Sequence, residues 1–244
     1  MKTITEKDLK VFCVSALVQN GMNEQDAAIT ADVLAGTDAL GCFSHGTKNL
    51  RMYIEKIKVG ALDPKAQPEV VKEGPAFALM DAHDAMGMVA SVKGMAKAMD
   101  LAKKSGVGFV TMKNSCHFGA AGYYANMAAE QGMVGIAMSN TDPNMAVPGG
   151  KSMVVGNSPI AYAAPAKGHD PVMLDIAMSA TAALKINQAK IKFKIHQIAN
   201  LSTLRPPYIR LTMARVPMMA VNIDVKIPMD SVTAKPLTGP VPIL

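Results

Sequence analysis

Lys113–Asn114–Ser115–Cys116–His117–Phe118–Gly119 is the stretch on which the fold turns. Before it stands a β-like run, Gly108–Phe109–Val110–Thr111–Met112, and after it a helix-like run over 120–131. A strand that gives way to polar residues and a histidine, then to glycine and a helix, fixes a side chain between two rigid elements. The N–H groups of the helix's first turn face the same space. Histidine changes charge near neutral pH, so His117 is a candidate for taking and returning a proton. By spacing alone, a core histidine with its nitrogens bonded to backbone is the plainer reading. Adjacent side chains on extended chain point to opposite faces, which argues against Cys116 and His117 as a nucleophilic pair or a shared metal site.

Outward from this stretch the chain alternates. On its N-terminal side lie a strand-like segment, 76–81, and a long Ala/Met/Lys helix, 85–104, closed by Gly106. On the other side come a strand at 134–139, a turn-rich loop at 140–151, a strand at 158–164, a turn at 167–170 and a strand at 172–176. Further upstream, three short amphipathic helices are expected. Thr5 and Asn23 are good N-caps for the first two, which place Leu9, Phe12, Cys13 and Leu17, then Ala27, Ala31 and Leu34, on their inner faces. The third runs from about Thr47 to Val59, carries Leu50, Tyr53, Ile54 and Ile57, and stops at Gly60. The fold class is α+β. A doubly wound nucleotide fold does not follow, because Thr111 stands where a G-x-G-x-x-G fingerprint after Gly106 needs its last glycine. Gly150–Lys151–Ser152 resembles the end of a P-loop, but the first glycine of that motif would fall at Met145.

Composition bounds the function. The chain of 244 residues is half apolar and only 5% aromatic, with no Trp and 20 Met. No apolar run approaches the roughly 20 residues of a membrane span, and no apolar h-region follows Met1. Cys13, Cys42 and Cys116 show no pairing pattern, which fits reduced thiols and a cytoplasmic protein. Residues 1–187 carry equal numbers of basic and acidic residues. The whole net charge of +6 therefore comes from 188–244, with eight basic residues against two acids. That segment also holds seven of the 15 prolines and one of the 19 glycines. With few aromatics and no amphipathic period there, neither nucleic acid nor membrane is expected as a partner. The segment from about 190 onward is expected to form no compact domain of its own, its prolines confining any strand to a sheet edge.

Asn114–Ser115–Cys116–His117–Phe118–Gly119–Ala120–Ala121–Gly122–Tyr123–Tyr124 resembles the signature of the type-2 malate/L-lactate dehydrogenases. This family includes malate, lactate, sulfolactate and ureidoglycolate dehydrogenases and cyclic imino-acid reductases. Ser44–His45–Gly46, Ser139–Asn140–Thr141 to Gly149–Gly150, and Leu174–Asp175–Ile176–Ala177 match in the same order, so the resemblance covers about residues 1–187. It implies a helical substrate or cap domain at 1–74 and a non-Rossmann, mixed-sheet NAD(P)-binding domain at 75–187, incomplete relative to the family. The atypical basic tail, 188–244, has two readings: a divergent C-terminus, or an out-of-frame tail.

The resemblance also implies an activity: hydride transfer between NAD or NADP and a 2-hydroxy or 2-oxo acid such as malate or lactate. A cyclic imino-acid reductase and an inactive, truncated remnant are the alternatives. Carried over by position, His117 is the acid/base and His45 its companion, and Tyr53 and Asn49 line the substrate pocket. Ser139, Asp175, Ile176 and Ala177 contact the cofactor; no metal is implied, and a homodimer is. Asn49 stands where many members carry Arg. On an ideal helix Arg51 and Lys48 lie about 200° and 100° away from it, so the substrate stays open. Asp175 reads equally well, without the resemblance, as a capping carboxylate.

Overall fold

The computed structural model describes residues 4–147, 151–177 and 216–222, the last segment through its backbone and the Met218 side chain. Two capped helices open it. In α1 (Glu6–Gln19) the Asp8 N–H donates to Thr5 Oγ1, and in α2 (Glu24–Ala39) the Asp26 N–H donates to Asn23 Oδ1. Cys13 and Leu17 face inward as the spacing requires, but Phe12 is 61% exposed, so the buried stripe of α1 is narrower than the pattern implied. A 3-10 turn, Thr47–Asn49, leads into α3 (Leu50–Lys58), whose end is marked by Gly60 at φ 69°.

The rest is a seven-stranded sheet with two helices against one face. Its strands are β1 (Glu69–Gly74), β2 (Phe77–Asp81), β3 (Val107–Lys113), β4 (Met133–Met138), β7 (Ile160–Ala166), β8 (His169–Ile176) and β9 (Val216–Asn222). A separate pair stands apart from it: β5 (Met145–Ala146) lies in the expected loop, 140–151, and β6 (Met153–Val155) between that loop and the next expected strand. The sheet order is β1-β2-β3-β9-β4-β7-β8, with only the β2–β3 pair parallel, so the sheet is mixed. Helices α4 (Gly87–Ser105) and α5 (Ala121–Glu130) cover the face that buries Val110, Met112, Met133, Ala137 and Met218. They come very close. A Cβ on Gly108 would lie 1.9 Å from Ala98 O of α4, and one on Gly135 would lie 2.1 Å from Ala125 O of α5.

β9 corrects the reading of the tail. It is a central strand, paired antiparallel with both β3 and β4. Pro217 is tolerated there because it lies one residue outside the β4 ladder, which begins at Met218 opposite Ala137. The other residues of 188–244, and the two readings of their origin, lie outside the described residues. β1 is also unanticipated: an edge strand, exposed almost throughout and charged at alternate ends.

The registers align one end of the sheet. Asp81 faces Lys113, Met112 faces Val216, Ala137 faces Met218, Met138 faces Ile160, and Ile160 faces Ile176. The His117 loop, Ser139 and Asp175–Ala177 therefore emerge from the same edge of the layer.

Candidate active site

The loop after β3 is moored twice. Asn114 takes φ 50°, which breaks the strand, and its amide donates to both Asp81 oxygens at 2.9 and 3.1 Å. Lys113 Nζ lies 2.6 Å from Asp81 Oδ2, and the His83 N–H donates to Oδ1 at 3.0 Å. Burial pushes the Asp81 carboxyl up, but these donors outweigh it and bring it down to about 2. The Asp84 N–H and Asn114 O close the crossing at 2.9 Å.

The second mooring is at the start of α4. Met86 supplies no side-chain cap; instead the Gly87 N–H donates to Cys116 Sγ at 3.2 Å. The thiol therefore points to the start of α4, with the His117 carbonyl 3.5 Å away. Burial pushes it up, against the Gly87 N–H and the charge of Lys56, which leaves it a poor nucleophile. Gly87 has no room for a side chain: a Cβ would lie 2.4 Å from His117 O and 2.6 Å from Cys116 O.

His117 is held from behind. Its Nδ1 is 2.5 Å from the hydroxyl of Tyr53, which projects from α3 and is fully buried. Burial keeps that phenol far above its ordinary pKa, with Cys116 adding to the effect, so it stays neutral. The outer part of His117 remains open to solvent. Burial of the rest, then the neighbouring His45 and Lys56 charges, lowers its pKa to about 4. The His45 ring stacks on it at 5.8 Å and 19°. His45 comes from the turn between α2 and α3, where Ser44 Oγ meets its Nδ1 at 2.9 Å. The Thr47 N–H donates to Asp38 Oδ2 at 3.0 Å, and a Cβ on Gly46 would collide with that carboxylate, which fixes the turn.

Asp175 closes the far side. Its Oδ2 accepts from the Gly122 N–H at 2.7 Å in the first turn of α5. Burial raises its pKa, while that N–H and His45 oppose the rise. Its charge in turn raises His45, where the lowering effect of burial is larger. The capping reading of Asp175 and its place beside His45 therefore hold together.

His117, His45, Tyr53 and Asp175 are thus brought into one cluster. Tyr53 and Asn49, the two expected substrate-pocket positions, both make hydrogen bonds within the protein. Tyr53 reaches the imidazole from behind, and among the described residues its hydroxyl is bonded to His117. The Asn49 amide donates to Ser44 O at 2.9 Å, which braces the His45 turn. Ser139 Oγ donates to Asn140 O at 2.7 Å, while Ile176 and Ala177 are exposed at the end of β8. Sequence reasoning missed Asp81, Gly87 and Lys56. Lys56 alone carried a signal, lying three residues after Tyr53 on α3. Among the described residues no group of three or more metal-ligating side chains occurs, and no helix is long and apolar enough to cross a membrane.

A histidine in the loop after β3, backed by a tyrosine, sits at the end of a mixed sheet with two helices on one face, and comparison with known proteins gives this arrangement a family. The chain belongs to the malate/L-lactate dehydrogenase family, whose profile matches residues 4–194. It is 43% identical over 176 residues to a malate dehydrogenase of Pyrococcus abyssi, covering 72% of this chain and 48% of that protein. It is 42% identical over 188 residues to an L-sulfolactate dehydrogenase of Methanocaldococcus jannaschii, covering 76% and 54%. The solved malate dehydrogenase of Pyrococcus horikoshii superposes with a TM-score of 0.80 at 29% identity, covering 93% of this chain and 77% of that one. The chain spans about half the length of the curated relatives it matches.

Proposed function

We propose that this protein is an NAD(P)-dependent oxidoreductase that moves a hydride between nicotinamide and a 2-hydroxy or 2-oxo acid such as malate, with His117 as its acid/base. The observation that carries the reading is the Tyr53–His117 hydrogen bond, which occupies Nδ1 and leaves Nε2 as the nitrogen available for substrate. With Nδ1–H donating to the Tyr53 oxygen, Nε2 keeps its lone pair. That is the base form needed to take a hydroxyl proton, and a pKa near 4 keeps His117 in it at neutral pH. In the reducing direction Nε2–H returns the proton to the carbonyl oxygen. His45, stacked on His117 and touched by the Asp175 charge, orients the substrate oxygen beside it.

The residues at the sheet end fit a dinucleotide. Ser139 offers a hydroxyl and Asp175 a carboxylate that can accept from ribose hydroxyls, while in the His117 loop Ser115 Oγ is buried without a hydrogen-bond partner among the described residues. Ile176 and Ala177 present exposed chain beside them. When bound, nicotinamide supplies the two-electron hydride acceptor or donor.

Titration of the purified chain with NADH and NADPH by fluorescence tests the cofactor. Turnover with oxaloacetate, pyruvate, sulfopyruvate and a cyclic imine tests the substrate class. His117→Asn is expected to lower kcat by about 10²–10⁴-fold with cofactor affinity retained. Near-normal turnover in that variant would remove His117 from the mechanism. A second reading is a chain that binds the cofactor without turning over a substrate. Cofactor binding with no turnover on any of the four substrates is its signature.

A further inference from the structure

A substrate that is an acid needs a cation, and the obvious candidates on α3 do not supply one. Arg51 is turned outward, 87% exposed in its side chain, and paired with Glu55 at 2.7 Å. Lys48 and Lys58 are exposed. Lys10, Lys93 and Lys113 are each paired with a carboxylate elsewhere. Lys56 is different. It lies three residues after Tyr53, about 60° round α3 and one turn along, on the side of the helix whose tyrosine reaches His117. It is half-buried, and among the described residues no carboxylate lies within ion-pair distance of it. Its charge is felt by both Cys116 and His117.

We infer that Lys56 holds the carboxylate of the 2-oxo or 2-hydroxy acid and so sets the requirement for an anionic substrate. This inference rests on the proposed hydride transfer for the identity of the acid, but not for the anion site itself. Around His117 stand Tyr53 of α3 and, one turn further along that helix, Lys56, whose charge reaches it; His45 from the preceding turn, with Asp175 behind it; and Cys116 of its own loop. Of these, only Asp175 carries negative charge, and its carboxylate is engaged by the Gly122 N–H. An arriving carboxylate therefore supplies the missing counter-charge. It also neutralises the ammonium that disfavours the His117 imidazolium, so acid binding and proton uptake by His117 help one another. A compact ammonium recognises a carboxylate as a point charge and does not demand bidentate geometry, which suits a site that accepts acids of different length.

Oxalate, a planar dianion that resembles the acid end of a 2-oxo acid and cannot turn over, is the probe. It is titrated into the full chain while the His117 ring resonances are followed by NMR, in wild type, Lys56→Met, Lys56→Gln and Lys56→Arg. Wild type is expected to bind oxalate with a rise in the His117 pKa. Lys56→Met and Lys56→Gln should bind at least about tenfold more weakly, and Lys56→Arg within a few-fold of wild type, all with unchanged NADH affinity. Equal oxalate affinity in wild type and Lys56→Gln overturns the inference, as does absence of oxalate binding to wild type. Failure of the proposed function reads differently, as an absence of turnover by a wild type that binds oxalate through Lys56.

Discussion

Gly87→Ala probes how tightly the His117 loop is registered on α4. The added Cβ would lie 2.4 Å from His117 O, 2.6 Å from Cys116 O and 2.9 Å from the His117 carbonyl carbon. Real Cβ contacts essentially never fall under 3.0 Å, so the 116–117 peptide must retreat by about 0.6 Å at the least. The atoms it meets are backbone and cannot swing aside. The retreat pulls on both the Gly87–Cys116 bond at 3.2 Å and the Tyr53–His117 bond at 2.5 Å. Overpacking of this kind costs about 1–3 kcal/mol. At the first helical position, the roughly 1 kcal/mol that alanine gains over glycine in a helix interior is not available to offset it. A 1 Å misplacement of a reacting group can cost ~10²-fold in rate. We therefore expect kcat to fall about 10–100-fold, with NADH affinity retained and the thermal midpoint lowered. Gly94→Ala is the control in the same helix. Its Cβ would meet only the tips of Met218 and Met112, at 3.2 and 3.3 Å, and flexible side chains can yield by that amount. Wild-type kcat in Gly87→Ala, or equal loss in both variants, would refute the registration argument.

Three further outcomes can be checked. Tyr53→Phe should lower kcat more than it raises KM, because it removes the group that holds Nδ1; a pure KM effect would place Tyr53 in the substrate pocket. Asp81→Asn should destabilise the protein by about 2 kcal/mol at neutral pH, because it takes the charge from a buried carboxylate that three donors hold. Because the folded-state pKa is depressed, this contribution is complete above about pH 4 and lost as pH falls toward 2, so urea denaturation of the variant should show a flatter acid limb. His117 has a depressed pKa too, so its neutral form favours the native state above its ordinary value near 6.5. That contribution disappears as pH falls toward 4, and His117→Asn should weaken the slope of stability with pH across that window.

Much of this was legible in residues whose local chemistry is decisive. Thr5 and Asn23 cap helices that begin next to them, and the strand–loop–helix run around His117 forms the element it suggests. β9 was not legible, because Pro217 reads as an edge marker until the offset of the two ladders is known. Nor was β1, whose Glu69, Lys72 and Glu73 mask a strand that borrows its order from β2. In the site, the residue types were readable and their orientation was not. Whether the Tyr53 hydroxyl faces a substrate or a histidine depends on a contact across 64 positions of chain. Gly87 carries no polar or charged signal at all, and its role exists only because Cys116 and His117 fold over it.

The placement of β9 has a consequence for how the molecule assembles. Among the described residues it is the strand that joins β1-β2-β3 to β4-β7-β8, yet its partners on β3 lie roughly a hundred residues earlier in sequence. During synthesis the two half-sheets are complete long before the strand between them exists. Until then β3 and β4 each present a row of unpaired N–H and C=O groups, the kind of edge on which chains join one another. Refolding should therefore be slow and yield should fall with protein concentration, with losses concentrated before residues 216–222 dock. A synthetic peptide of that strand, added in excess during refolding, should compete for the gap and trap the two halves with the peptide between them.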